Sequence, residues 1–269
     1  MKIKEVVFAL ERFAPLPLQE DFDNAGLQVG LTEAEASGAL LCLDVTEEVL
    51  DEALSLGCNL VISHHPLLFH PLRCVSDADY VQRCVRKAVI NDITVYSAHT
   101  NLDNAEDGVN FKIAEKLGLT QLELVNPRAV AVKQGGVQRS VTAGSGVTGL
   151  LPEAEDSLMF LQRIKSVFQV ECLLHNELLT RLVSRVVVCG GAGDFLLPQA
   201  VEMKADAFLT GEMHYHQYFG YDGQLQIAVL GHYQSEQYSK EIFHDILHEL
   251  FPELPLYLSN VNTNPIKYL

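Results

Sequence analysis

Two short segments place a carboxylate four residues after an imidazole: His99-Thr-Asn-Leu-Asp103 and His232-Tyr-Gln-Ser-Glu236. Each follows a brief apolar run, Ile93-Thr-Val-Tyr96 in the first case and Ile227-Ala-Val-Leu230 in the second. A histidine doublet precedes them in Val61-Ile-Ser-His64-His65-Pro66. Neutral imidazole mixed with carboxylate is the ligand set of a borderline or hard divalent metal on a water-accessible scaffold. Adjacent residues of an extended backbone point to opposite sides, so His64 and His65 are poorly placed to chelate one ion together. They suit two ions side by side, one imidazole to each. Such ions sit about 3.5–4 Å apart and usually share a carboxylate or hydroxide. Glu236, longer than Asp103, is the candidate bridge, with Asp103 and His232 completing the two separate shells. Fewer than six protein ligands per ion leaves room for water, as a catalytic site requires.

The elements that must hold these groups read as α/β. Apolar residues at Ile3, Val6, Val7, Leu10 and Phe13 form a helical stripe that Pro15 and Pro17 end. Asp21 to Gly30 reads as an irregular loop from its Asp, Asn and Gly content. Ala39 to Val45 is a buried strand, after which Thr46 caps a helix carrying Glu47 and Glu48 in its first turn. Gly57 ends that helix. Leu60 to Ser63 is a strand, Ala78 to Val89 a helix, Ile93 to Ser97 a strand, and Gly108 to Leu117 a helix closed by Gly118. Strands rich in Val, Leu and Ile alternating with helices predict a largely parallel sheet covered on both faces. The rhythm breaks over residues 119 to 150. There Val130 to Gln138 and Ser140 to Gly149 set β residues among glycines and read as strands with bulges or turns. Glu155 to Phe168 returns to helix, and a long helix follows Glu236. In open α/β sheets ligands collect beyond the carboxyl ends of strands, and His64, His65, His99, Asp103, His232 and Glu236 all fall there.

The pattern is written twice. A shift of 147 residues sets Cys42 on Cys189, Ala53 on Ala200, Ile62 on Leu209, Ser63 on Thr210 and His65 on Glu212. The two His-x-x-x-acid segments align at a shift of 133, so the second copy is 14 residues shorter. We expect two duplicated α/β halves around a shared site at strand C-terminal ends. They span 1–125 and 183–269, joined by 126–182, in one compact unit without an inserted domain.

Composition narrows the function. The net charge of −16 repels phosphate backbones, and no Lys/Arg cluster offers a nucleic-acid footprint. No apolar run approaches the ~20 residues that span a bilayer, and the first residues lack the apolar stretch of a signal peptide. The six cysteines form no Cys-x-x-Cys pair, and Cys42 and Cys189 fall in predicted central strands where free thiols pack as small apolar groups. A cytoplasmic, reduced protein is expected. His214 and His216 read as a polar loop near the site, and His244 and His248 as a solvated helix face. His70 and His175 read as surface residues without local partners.

Five segments together resemble the signature of the Nif-three-like family, whose members are often labelled GTP cyclohydrolase type 2 homologs. They are Asp21-Phe-Asp-Asn-Ala-Gly-Leu-Gln-Val-Gly30, Ile62-Ser-His-His-Pro66, Ala98-His-Thr-Asn-Leu-Asp103, Thr210-Gly-Glu212 and Gly231-His-Tyr-Gln-Ser-Glu236. The resemblance covers nearly the whole chain in order. It implies a duplicated α/β fold, a dinuclear site for two divalent ions per chain and a toroidal homohexamer. It carries the metal ligands onto His64, His65, Asp103, His232 and Glu236, and gives His99 a catalytic or supporting role as proton donor to substrate or partner of the ligands. Phe22 stands where many members have Trp, and the insert many members carry between the halves is missing. The expected function is metal-dependent hydrolysis of a small nucleotide-like substrate, by ring opening or by phosphoester or amide cleavage. The alternative is a non-catalytic metal-binding adaptor acting through protein partners. Zn²⁺, Mn²⁺, Fe²⁺, Co²⁺ and Ni²⁺ all suit such ligands.

Overall fold

Short Val/Leu/Ile runs flanked by helix caps form strands here because each is covered on both faces. The computed structural model describes residues 1–134, 136–267 and 269. Gly135, within the Val130 to Gln138 stretch, and Tyr268 lie outside the described residues. In chain order the elements begin with α1 (Ile3–Phe13), β1 (Gly26–Val29), β2 (Ala39–Cys42), α2 (Glu47–Ser55), β3 (Leu60–Ser63) and α3 (Tyr80–Ile90). Next come β4 (Thr94–Ser97), α4 (Thr100–Asp103), α5 (Val109–Leu117), β5 (Thr120–Val125), β6 (Arg128–Gln134), β7 (Val137–Ala143) and β8 (Gly146–Glu155). They continue through α6 (Ser157–Phe168), β9 (Leu174–His175), β10 (Val183–Ala192), α7 (Leu197–Glu202), β11 (Ala207–Glu212) and β12 (Gln226–Val229). The chain closes with α8 (His232–Glu236), α9 (Ser239–Leu250) and β13 (Leu256–Leu258).

The residues group into two compact units. The first comprises Met1–Leu102, Val132–Arg139 and Ser239–Leu269, and the second Asp103–Ala131 and Ser140–Tyr238. The first holds a sheet in the order β1-β4-β3-β2-β13. Its four strands β4, β3, β2 and β13 run parallel, and β1 adds antiparallel to β4. The Asp21 to Gly30 segment is therefore not wholly a loop. Its Gly-rich composition hid a four-residue edge strand. Gly30 closes that strand at φ +105°, where a Cβ would lie 2.6 Å from the Thr94 Cα, so only glycine fits. One core layer lies between the sheet and α2 and α3, built on Leu40, Cys42, Val61 and Val95 against Val49, Leu50, Ala53, Cys84 and Ala88. The other face meets α9, which packs on β2 and on α1.

The second unit orders its sheet β5-β8-β10-β11-β12-β9. Only β10, β11 and β12 run parallel; β5, β8 and β9 join antiparallel. The expected parallel character thus holds for β10, β11 and β12, while β5 and β8 join antiparallel, with register shifts between Thr120 and Glu123 and between Val183 and Arg185.

The repeated core keeps the same register in both units. Ala39 pairs with Leu60 and Cys42 with Ser63 in one; Val186 pairs with Ala207 and Cys189 with Thr210 in the other. Caps fall where side-chain chemistry places them. Thr46, Asp79 and Asp156 accept the backbone N–H groups of Val49, Gln82 and Met159, which tightens the starts of α2, α3 and α6. Gly118 ends α5 in the left-handed conformation at φ +74°.

Candidate metal centre

In the first unit, His64 and His65 directly follow β3, and His99 stands two residues past the end of the parallel neighbour β4. Parallel pairing of Ser63 with Ser97 brings the two strand ends level, so the three imidazoles gather at one carboxyl edge. Their ring centroids are 5.1 to 5.5 Å apart. One potential ligand atom from each lies within 4.8 Å of the others, so the group could hold a metal ion.

Each ring has its Nδ1 committed. His64 Nδ1 lies 2.8 Å from the Ala98 carbonyl, His65 Nδ1 2.7 Å from Asp44 Oδ1, and His99 Nδ1 2.7 Å from Asp23 Oδ1. Carbonyl and ionised carboxylate oxygens only accept, so each Nδ1 carries the hydrogen, and the neutral form of each ring has its lone pair on Nε2. That tautomer is the one required of a metal ligand whose second nitrogen is fixed by an oxygen acceptor. The chemistry of this donor set fits a divalent cation.

The carboxylates behind the rings stay ionised for a physical reason. Burial alone would raise the Asp23 pKa, but hydrogen bonds from His99, Thr100 and the Asn24 N–H outweigh it and hold it at about 2. Asp44 is also lowered: burial opposes, and the hydrogen bonds from His65 and Thr263 outweigh it.

In the second unit the site residues stand at the carboxyl ends of β11 and β12. His232 Nε2 lies 2.9 Å from Glu236 Oε2, one helical turn on, and His232 Nδ1 lies 3.3 Å from Glu212 Oε1. Glu236 is buried, at 3% exposure. Gly191, at φ +58°, faces its carboxylate so closely that a Cβ there would collide with Oε1. Ser235 locks the same turn, accepting from the Gly191 N–H at 3.0 Å and donating to the His232 carbonyl at 2.8 Å. Asp103 closes α4, and its carbonyl accepts from the Asn110 amide at 3.0 Å.

The other histidines divide. His214 is exposed and its pKa is raised by a hydrogen bond to Asp194, a polar loop as expected. His244 and His248 stack along the exposed side of α9. His70 does have a partner, lying edge-on to Phe69 with centroids 5.0 Å apart. Phe22 is 68% exposed and meets Phe69 edge-on, so it belongs to the surface beside His99 and not to a packed interior. Sequence reasoning did not single out Asp23, Asp44 and Glu212 as partners of the histidines. The available signal was position: Asp44 lies just past β2, Glu212 ends β11, and Asp23 precedes β1 by three residues.

An open α/β sheet carrying imidazoles and carboxylates beyond its strand ends defines a class of proteins with ligand sites at the carboxyl edge. Within it, the chain belongs to the Duf34/NIF3 (NGG1p interacting factor 3) family, which it matches over residues 1–265. It is 32% identical to a GTP cyclohydrolase 1 type 2 homolog from Clostridium acetobutylicum, across 100% of this chain and 99% of that one. A protein of the same description from Lactococcus lactis is 31% identical, covering 98% of each. Among solved structures, the Staphylococcus aureus hypothetical protein SA1388 aligns with a TM-score of 0.89 at 26% identity, over 100% of this chain and 99% of that one.

Proposed function

We propose that this protein is a hydrolase dependent on two divalent metal ions, acting on a small nucleotide-like substrate. The observation that carries the reading is the set of three imidazoles at adjacent parallel strand ends, each with Nδ1 given to an oxygen acceptor. His64 and His65 would each serve one ion, Glu236 would bridge, and Asp103 and His232 would complete the separate shells. Two such ions, when bound, lower the pKa of water toward neutrality and polarise a carbonyl, amidine or phosphoryl group. The chain's own contribution is to hold the ligand rings in one tautomer, to keep Asp23 and Asp44 ionised behind them, and to keep a proton-exchanging nitrogen on His99 at the edge of the site. The printed name of the relatives supports a purine-nucleotide ring opening as the first reaction to try. Phosphoester and amide cleavage draw on the same residues.

This reading includes a cytoplasmic toroidal homohexamer built from chains that arose by duplication of the 1–125 and 183–269 halves around 126–182. The matched strand registers support the duplication. Among the described residues no helix is long and apolar enough to cross a membrane. The test is metal analysis of protein purified without chelator, then assays on nucleotides and phosphoesters with metal restored. Two metals per chain with metal-dependent turnover support the hydrolase. Two metals with no turnover favour an adaptor, and fewer than one metal after reconstitution overturns the ligand set.

A further inference from the structure

Asp23 has no role in the ligand set proposed above, yet its side chain is fully enclosed, at 0% exposure, and is saturated with donors. Oδ1 accepts from His99 Nδ1 at 2.7 Å and from the Asn24 N–H at 2.7 Å. Oδ2 accepts from the Thr100 N–H at 3.0 Å and from the Thr100 hydroxyl. Four donors on one carboxylate favour the ionised, acceptor-only form. The fold delivers this contact through register. Antiparallel pairing sets Gly26 opposite Ser97, so the residues just before β1 meet those just after β4.

The rest of the His99 environment is equally fixed. The Asn101 side chain accepts from the His99 N–H at 2.9 Å and donates to the Ala14 carbonyl at 2.7 Å, which holds the turn. The Phe69 ring meets the imidazole edge-on, with centroids 6.1 Å apart and planes at 83°. Asn24 donates to the Leu68 carbonyl at 2.7 Å, tying the Asp23 loop to the segment that carries Phe69. The His99 ring is thus clamped at its Nδ1 end and along its side, and Nε2 is the nitrogen left to act.

We infer that Asp23 is the positioning residue for His99: its carboxylate fixes the Nδ1–H tautomer and the ring plane, so that Nε2 presents a lone pair beside His64 and His65. The inference rests on the hydrolase reading for what Nε2 does, and on the hydrogen-bond geometry alone for which tautomer is present. An anion at Nδ1 also stabilises the imidazolium when Nε2 takes up a proton, the arrangement expected of a general base. Asparagine at position 23 would keep the shape but offer an amide donor, which favours the opposite tautomer.

The experiment is long-range proton–nitrogen correlation on ¹⁵N-histidine-labelled full-length protein, metal-free and with Zn²⁺, with His99 assigned by Gln substitution. Wild type should show His99 with hydrogen on Nδ1. Asp23→Asn should move that population to Nε2–H while the tautomers of His64 and His65 stay as they are. Where a substrate is known, turnover of Asp23→Asn should fall on the order of 10²-fold, with KM little changed. A wild-type His99 with hydrogen on Nε2 overturns the inference, with no change needed at position 23. Retention of Nδ1–H in a folded Asp23→Asn also overturns it. Failure of Zn²⁺ to perturb any of the three histidines, with the tautomer as expected, sinks the metal reading and leaves the positioning role standing.

Discussion

A single residue's ionisation carries measurable stability in this protein. The Asp23 pKa lies at about 2 in the folded chain, below the ordinary aspartate value of about 3.9 in an unfolded one. A lowered folded pKa means the native state favours the ionised form. The contribution is therefore fully present above about pH 4 and disappears as pH falls through about 2. Its size is on the order of 1–2 kcal/mol once solvent screening at this half-buried residue is discounted. Urea unfolding of wild type and Asp23→Asn should show the largest stability gap near pH 6, narrowing toward zero near pH 2. A gap that stays constant over this range would mean that the loss comes from packing and not from charge. The metal ligands make a separate prediction on the proposed assignment. Glu236→Ala should lose both metals, whereas Asp103→Ala should lose mainly one, as read by metal analysis after dialysis. Two metals retained by the Glu236 variant would remove it from the bridging position.

At the scale of elements, the second-unit site depends on how closely α8 approaches the sheet. Gly191 turns at φ +58° against the Glu236 carboxylate, and a Cβ on Gly211 would lie 2.6 Å from Ser235 Oγ. Neither position has room for a methyl group: Ser235 is held by its two hydrogen bonds, and the Glu236 carboxylate lies against His232 Nε2. Gly191→Ala should therefore displace Glu236, lower stability by about 1–3 kcal/mol and weaken metal retention. Near-normal melting with two metals bound would show that the turn can relax. The central strands and the α2 cap of the first unit were legible in the sequence because each is an apolar run or a capped periodic stretch. The strand beginning at Ala39, expected to reach Val45 and ending at Cys42, the strand Leu60–Ser63 and the Thr46 cap follow from pattern. Strand β1 did not, because four residues that begin with one glycine and are followed by another carry too little periodicity to outweigh loop composition. The ligand candidates were legible because His-x-x-x-acid recurs just past a short apolar run at two places in the sequence. Their hydrogen-bond partners were not: Asp23 finds His99 only through antiparallel register at Gly26 and Ser97, and Asp44 finds His65 only across two neighbouring strands.

At the scale of the whole molecule, the end of the chain belongs to the first unit, although Ser239 follows directly on the second-unit Tyr238 in sequence. Strand β13 pairs in parallel with β2, and the Ser259 N–H extends the ladder to the Leu41 carbonyl at 2.8 Å. Beyond it, Glu52 accepts from the Ser259 hydroxyl at 2.5 Å and from the Asn260 N–H at 2.9 Å, and the Thr263 hydroxyl reaches Asp44. The tail thus does two separable things: it covers the edge of a hydrophobic strand, and it supports the carboxylate that orients His65. Thr263→Val removes only the second. Its melting temperature should shift little, since one hydrogen bond contributes about 1 kcal/mol. Its metal affinity should fall about 10-fold, because carboxylates behind a ligating histidine are worth about 10–100-fold. A chain ending at Phe251 removes both, exposing the β2 edge to water and to pairing with other chains. That chain should melt well below wild type and aggregate in light scattering. Equal metal affinity in Thr263→Val and wild type would show that Asp44 orients His65 without help from the tail. An undiminished melting temperature in the shortened chain would show that β13 is dispensable to the sheet it extends.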